Sequence, residues 1–284
     1  MSSPAAPGTY AHTNDTPGAL RIAASFARAR AAGRAALVPY VVAGYPDAET
    51  SLRAAVAAID AGADLLEVGL PYSDPLADGA TLQRASSVAL GNGASLERSL
   101  DLVRQIAAAR PDTPVVVMGY ANQIIGGGDG AETAGRLAGS GVAGLIIADL
   151  TPDEGRPFEA IAAASGIALV YLVAPTTAPA RRAMIAARSG GFLYCVSLVG
   201  VTGARTSLPR TVARLVRDVR AVSPVPVAVG FGVSRPAHAR ALARAGADGI
   251  IVASALVDAL GPDGTNVAAM ARLVRALATA TTDR

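Results

Sequence analysis

Lysine is absent from this 284-residue chain, so all 25 of its lysine-plus-arginine positions are arginine. That removes the side-chain amine needed to form an imine with a carbonyl substrate or with pyridoxal phosphate. Histidine occurs twice, as His12 and His238, and Cys195 is the single cysteine. One chain therefore cannot assemble a zinc site from several His or Cys ligands, and it cannot close a disulfide on itself. A Ser–His nucleophile pair would have to draw on His12, in a polar N-terminal stretch, or on His238, in a predicted helix. No apolar run reaches the roughly 18 residues of a membrane span. The first 18 residues are rich in Ser, Thr, Pro, Ala and Gly and lack the basic-then-apolar order of a signal peptide, so they read as a flexible tail. The expectation is a cytoplasmic protein that needs no metal or cofactor. Its chemistry then falls to carboxylates, tyrosines and backbone amides.

What is present is a large apolar content, 51% of residues, enough to bury a sizeable core. Net charge is only +3 and the arginines are scattered, which argues against nucleic-acid binding. Short β-branched runs recur at 37–43, 65–69, 114–119, 144–148, 168–173, 192–196, 225–230 and 249–253. They are continuously hydrophobic rather than alternating, as parallel strands buried on both faces are. Ala/Arg-rich helical stretches lie between them, for example at 48–61, 131–140, 159–164, 178–188 and 236–245. An extra helix at 20–32 precedes the first strand, and 267–280 closes the chain. Eight βα units without a break in composition predict an α/β fold, a single (β/α)₈ barrel over residues 19–284 after a tail at 1–18. An open doubly wound sheet is the alternative, but Ala43-Gly44-Tyr45-Pro46 follows the first strand where that fold places a Gly-rich dinucleotide fingerprint. The repeated phrases Ala61-Gly62-Ala63-Asp64 and Ala245-Gly246-Ala247-Asp248 read as structural helix ends with Gly in the left-handed position.

In such barrels the reacting groups lie at the C-terminal ends of the strands. The second strand ends Leu66-Glu67-Val68-Gly69, an acid within an apolar run. Such an acid either pairs with an arginine or sits in a low-dielectric mouth with its pKa raised, where it suits proton transfer near neutrality. The loop Pro71-Tyr72-Ser73-Asp74-Pro75-Leu76-Ala77-Asp78-Gly79 presents two further acids, either as turn caps or as partners of Glu67. Small residues follow three late strands, in Gly200-Val201-Thr202-Gly203, Gly230-Phe231-Gly232-Val233-Ser234 and Ala253-Ser254. Their backbone N–H groups, with a helix starting at Ser254, predict a site for a phosphate ester.

The stretch from Glu67 to Gly79 closely resembles the signature of the tryptophan synthase α subunit family. Leu37-Val38-Pro39-Tyr40, Ala43-Gly44-Tyr45-Pro46, Leu172-Val173-Ala174-Pro175-Thr176-Thr177 and Gly200-Val201-Thr202-Gly203-Ala204-Arg205 match it as well, in order, within a resemblance running from about residue 21 to 277. The resemblance implies a (β/α)₈ barrel that splits indole-3-glycerol phosphate into indole and glyceraldehyde 3-phosphate, without a cofactor. It implies Glu67 as the proton-shuttling carboxylate and Asp78 as the acid that holds the indole N–H. Tyr194 becomes a substrate-side tyrosine, Tyr40 and Tyr120 line the pocket, and Thr202 belongs to the loop that closes it. Gly203, Phe231, Gly232, Ala253 and Ser254 fall at phosphate-binding positions. A β subunit in an α₂β₂ heterotetramer is the implied partner.

Some positions depart from the family's usual residues. Ala80 and Thr151 stand where proline is common, Ala253 where glycine is, and Tyr120-Ala121-Asn122-Gln123 differs from the frequent Tyr-Asn-Pro. Thr151, the Tyr120–Gln123 segment and the Gly126-Gly127-Gly128 that follows it lie near surfaces the family uses for its β partner, which leaves a stand-alone indole-3-glycerol phosphate lyase as an alternative. A catalytically silent phosphate-binding barrel and an isomerase of a related pathway are the more distant ones.

Overall fold

The computed structural model describes residues 13–126, 130–196, 210–230 and 232–282. Among them, nine strands form one all-parallel sheet: β1 (Ala36–Val42), β2 (Leu66–Gly69), β3 (Val115–Gly119), β4 (Val142–Ile147), β5 (Ala168–Val170), β6 (Leu172–Val173), β7 (Leu193–Val196), β8 (Val227–Gly230) and β9 (Gly249–Val252). The order is β5-β4-β3-β2-β1-β9-β8-β7-β6. The first strand thus bonds to the last, with Ala36 opposite Gly249. The two ends of the ladder, β5 and β6, are consecutive pieces of chain separated by Tyr171 alone. Counted as one, they give eight positions around a closed ring. The open doubly wound alternative is thereby removed.

Tyr171 interrupts the fifth position for a visible reason. Its N–H leaves the ladder and donates to Ser189 Oγ (3.0 Å), while its C=O still accepts from Tyr194 N–H (3.0 Å). Its ring points out of the barrel, where the hydroxyl donates to Glu159 Oε1 (2.6 Å) and lies so near Gly155 that a Cβ there would be 2.0 Å away.

Alternation along each strand separates two apolar layers. Ala36, Val38, Leu65, Val116, Ala168, Val170, Ala228 and Ile251 fill the barrel interior. Leu37, Leu66, Val68, Val115, Val117, Leu193, Val227 and Ile250 face the surrounding helices. Both layers are buried, so the strands read as unbroken hydrophobic runs.

The helix Pro17–Ala31 closes the N-terminal end of the barrel. Thr16 caps it by accepting from Ala19 N–H (3.1 Å), and Pro17 takes the first helical position. Its apolar face inserts Ile22 and Phe26 between the strand starts. A Cβ on Gly249 would lie 2.7 Å from Phe26, and one on Gly144 would lie 2.8 Å from Ile22, so small residues there admit the plug. The helix begins three residues before the expected Leu20, and the expected tail boundary at residue 18 falls inside it. The pair Thr16-Pro17 is an N-cap followed by N1 proline, a start signal that a Ser/Thr/Pro-rich composition conceals.

The repeated Gly-Ala-Asp phrases take matching positions. Gly62 (φ +112°) and Gly246 (φ +95°) occupy left-handed backbone conformations. Asp64 N–H donates to Leu37 C=O (2.9 Å) while its carboxylate accepts from Leu37 N–H (2.8 Å) and is gripped by Arg34 (2.5 and 2.7 Å). Asp248 repeats the pattern on Val227 (2.9 and 3.1 Å), with Arg30 (2.9 Å) and Arg220 on its carboxylate. Each aspartate therefore pins its strand entry to the neighbouring strand. Two long helices, Ala80–Gly91 and Leu96–Ala109, lie between β2 and β3 and were not among the segments picked out by periodicity. Among the described residues no helix is long and apolar enough to cross a membrane.

Candidate active site

Glu67 projects into the barrel. Leu65 belongs to the inner layer and Leu66 and Val68 to the outer one, so the two-residue period of the strand directs Glu67 inward. It is 1% exposed, and neither carboxylate oxygen has a hydrogen-bond partner among the described residues. The structural reading of this acid, a strand carboxylate paired with an arginine, is therefore set aside. Burial, reinforced by the charge of Asp78, raises its pKa from 4.5 to about 8.

Tyr40 sits beside Glu67 in register on β1, and Tyr194 comes from β7, four positions round the ring and so across the axis. Both phenols are buried and held well above their ordinary pKa, first by desolvation and then by nearby acids, among them Glu67 and Asp78. Two glycines make room for them. A Cβ at Gly69 would lie 1.7 Å from the Tyr40 hydroxyl, and one at Gly230 would lie 2.5 Å from that of Tyr194. The apolar barrel thus ends in a polar layer of one carboxyl and two phenols. Neutral, desolvated groups are what an enclosed space of this kind admits.

Asp78 reaches the same space from the loop after β2. Burial lifts its pKa from 3.8 to about 6. The loop is held from the end of β3. Ala77 N–H donates to the Tyr120 hydroxyl (3.0 Å), and Tyr120 stacks on Tyr72 with centroids 4.9 Å apart. Gln123 Nε2 donates to Pro71 C=O (2.8 Å) while its Oε1 accepts from Tyr120 N–H (3.1 Å). On the far side, Gln83 Nε2 donates to Asp78 C=O (2.9 Å). Asp74 does not turn inward: it is exposed and accepts from Ser73 Oγ (2.6 Å). Of the two loop acids, Asp78 is the one that joins Glu67.

The expected phosphate segments are described in part. Gly232, with φ +47°, follows β8, and Ala253 precedes a helix that begins at Ser254 (Ser254–Ala259), as the sequence predicts. Gly230 and Ile251 are partners in the ladder, which brings both segments to the same end of the barrel as Glu67. Thr202, Gly203 and Phe231 lie outside the described residues. Sequence reasoning overlooked Gln123 and Gln83. A glutamine in a short helix or on a helix surface carries no signal until the loop it braces is seen. Tyr120, expected as a pocket wall, also serves as the acceptor that anchors the acid loop.

A family model described as tryptophan synthase alpha chain matches residues 26–282. The tryptophan synthase alpha chain of Roseiflexus castenholzii is 46% identical over 259 residues, covering 90% of this chain and 98% of the relative. That of Caulobacter vibrioides is 46% identical over 239 residues, 84% of this chain and 86% of the relative. Among solved structures, a Mycobacterium tuberculosis tryptophan synthase superposes with a TM-score of 0.84 at 40% identity, covering 92% of this chain and 98% of that one. The tryptophan synthase subunit alpha of Legionella pneumophila does so with a TM-score of 0.83 at 31% identity, with the same coverage. Matched over nearly the whole barrel, and carrying its two acids in one mouth, the chain belongs to the tryptophan synthase alpha chain family.

Proposed function

We propose that this chain cleaves indole-3-glycerol phosphate to indole and glyceraldehyde 3-phosphate, as the α subunit of a tryptophan synthase that pairs with a β subunit in an α₂β₂ assembly. It is a carbon–carbon lyase of tryptophan biosynthesis, with no cofactor of its own. The chain from Thr16, the cap of the first helix, onward acts as one catalytic barrel domain, and the protein works in the cytoplasm. The observation that carries the chemistry is Glu67, buried without a partner at the barrel mouth beside Asp78.

The two pKa values divide the work at neutral pH. Glu67, near 8, holds its proton, whereas Asp78, near 6, is ionised. Glu67 delivers its proton to C3 of the indole ring, and the positive charge that develops on the ring nitrogen is met by Asp78 accepting the N–H. The Glu67 carboxylate then removes the proton of the hydroxyl on the adjoining carbon. The O–H electrons form the aldehyde C=O, the C–C bond breaks, and its electrons return to the ring, which becomes neutral indole. Glu67 ends protonated, as it began. The leaving group is its own electron sink, which fits a chain that has no lysine for an imine. Tyr40, Tyr120 and Tyr194 frame the ring. Gly232, Ala253 and Ser254, with Gly203 and Phe231, hold the phosphate through backbone N–H groups and a helix start, and Thr202 belongs to the loop that closes the site.

The test is release of indole from indole-3-glycerol phosphate by the purified chain, with and without a cognate β subunit. Turnover without added cofactor, raised severalfold or more by the β subunit, is expected. Full activity alone, unchanged by any β subunit, would replace the synthase with a stand-alone lyase. No indole under either condition would end the reading.

A further inference from the structure

The acid loop enters and leaves the site with its two ends held by one element, the short helix Ala121–Ile124 and the tyrosine that precedes it. At the entry, Gln123 Nε2 donates to Pro71 C=O (2.8 Å). Near the exit, Ala77 N–H donates to the Tyr120 hydroxyl (3.0 Å), one residue before Asp78. The amide oxygen of Gln123 accepts from Tyr120 N–H (3.1 Å), so the same side chain fixes the tyrosine that holds the exit. Nothing else among the described hydrogen bonds joins both ends of the loop. Gly119, the last residue of β3, lets this amide lie close, since a Cβ there would be 3.2 Å from Gln123 Oε1.

An amide suits this task and a carboxylate or an aliphatic chain does not. The position needs a donor toward one carbonyl and an acceptor for one N–H at once, which Gln supplies with a single planar group. We infer that Gln123 is the positioning residue for Asp78, acting through Tyr120 and Pro71 rather than by touching substrate. The inference rests on the proposed role of Asp78 in meeting the charge on the leaving group. A loop anchored at both ends keeps the Asp78 carboxylate where it is part-desolvated. Released, the loop drifts outward, and the carboxylate becomes more hydrated and less well aimed.

Gln123→Met retains length and loses both hydrogen bonds, and Gln123→Ser leaves room for water to replace them. Each is compared, in the full-length chain, with Asp78→Asn and with the double variant Gln123→Met/Asp78→Asn. Expected are a roughly tenfold fall in kcat for Gln123→Met with a smaller change in KM, a smaller loss for Gln123→Ser, and a thermal midpoint within a few degrees of wild type. The acid limb of the kcat/KM profile is expected to move to lower pH than in the wild type, toward the ordinary range of an aspartate. A fold defect alone would not move that limb. The double variant is expected to be no slower than Asp78→Asn, because a misplaced amide has nothing left to misplace. An unshifted acid limb, or losses that multiply in the double variant, would overturn the role of Gln123 while leaving Asp78 in place. Wild-type turnover by Asp78→Asn would remove the role proposed for Asp78, and this inference with it, while leaving the lyase reaction itself in place.

Discussion

The two ends of the barrel treat buried acids in opposite ways. At the N-terminal end, Asp64 and Asp248 are nearly as enclosed as Glu67, yet each accepts a backbone N–H and is gripped by arginine. At the C-terminal end, Glu67 has neither an arginine nor a hydrogen bond among the described residues. Glycines make room at both ends, below for Ile22 and Phe26 and above for the hydroxyls of Tyr40 and Tyr194. The same devices therefore serve contrary purposes. Satisfied charges and an apolar plug tie the strand starts together, whereas an unsatisfied carboxyl and two phenols leave proton-transfer capacity facing an open mouth. On the proposed reading, the buried carboxyl that makes one end reactive is also a stability deficit there.

Changing the acid at the mouth is expected to have the largest effect. Glu67→Gln removes the group proposed both to give and to take a proton, so turnover should fall by on the order of 10³-fold or more. Turnover within tenfold of wild type would show that the mouth does not depend on this acid.

The same variant should gain stability, which is a sharper test of the contrast. In the fold Glu67 keeps its proton to about pH 8, while unfolded it releases it near 4.5. As pH rises between those values the unfolded state ionises first, so wild-type stability falls. Below pH 4 both states are protonated and the penalty vanishes. Glutamine carries no such penalty, and at pH 7 the gain should be on the order of 3 kcal/mol, diminishing toward pH 4. Denaturant unfolding at several pH values measures it. A gain that is independent of pH would mean that burial of the charge is not its source.

The smallest effect is expected at the opposite end. Asp248→Asn keeps an acceptor for Val227 N–H but removes the charge from Arg30 and Arg220, whose side chains are 58% and 36% exposed and can be rehydrated. A loss of about 1–2 kcal/mol in stability is expected, with kcat unchanged. A variant that slows turnover while remaining fully stable would break the division between a structural end and a reactive one.

Much of this was legible in the residues. Eight runs of β-branched residues coincide with barrel strands to within one or two residues at most ends, because strands buried on both faces admit few polar side chains. The glycines at 62 and 246 announced left-handed helix ends, and a glutamate inside an apolar run announced an acid that either pairs with an arginine or is poised for proton transfer. Legibility failed where the local pattern was ambiguous. The helices Ala80–Gly91 and Leu96–Ala109 bury Leu82, Ala85 and Ala89 and Leu100, Val103 and Ile106 at helical spacing, but they share one connection between strands where a repeating strand-and-helix pattern leads one to expect a single helix. Tyr171 lies in a run that looks continuous, yet its N–H finds Ser189 instead of a ladder partner.

Local sequence thus settled the alternation of strands and helices and the lack of a side-chain amine or a set of His and Cys ligands, and it offered Glu67 with the loop acids Asp74 and Asp78 as candidates. It did not say that Glu67 would lack a counter-ion when Asp64 and Asp248 have theirs, nor that Gln123 would brace a loop some fifty residues earlier in the chain. Those facts depend on which side chains meet when the ring of strands closes. Desolvation and hydrogen-bond satisfaction are properties of an enclosed volume, and no stretch of chain encloses one by itself.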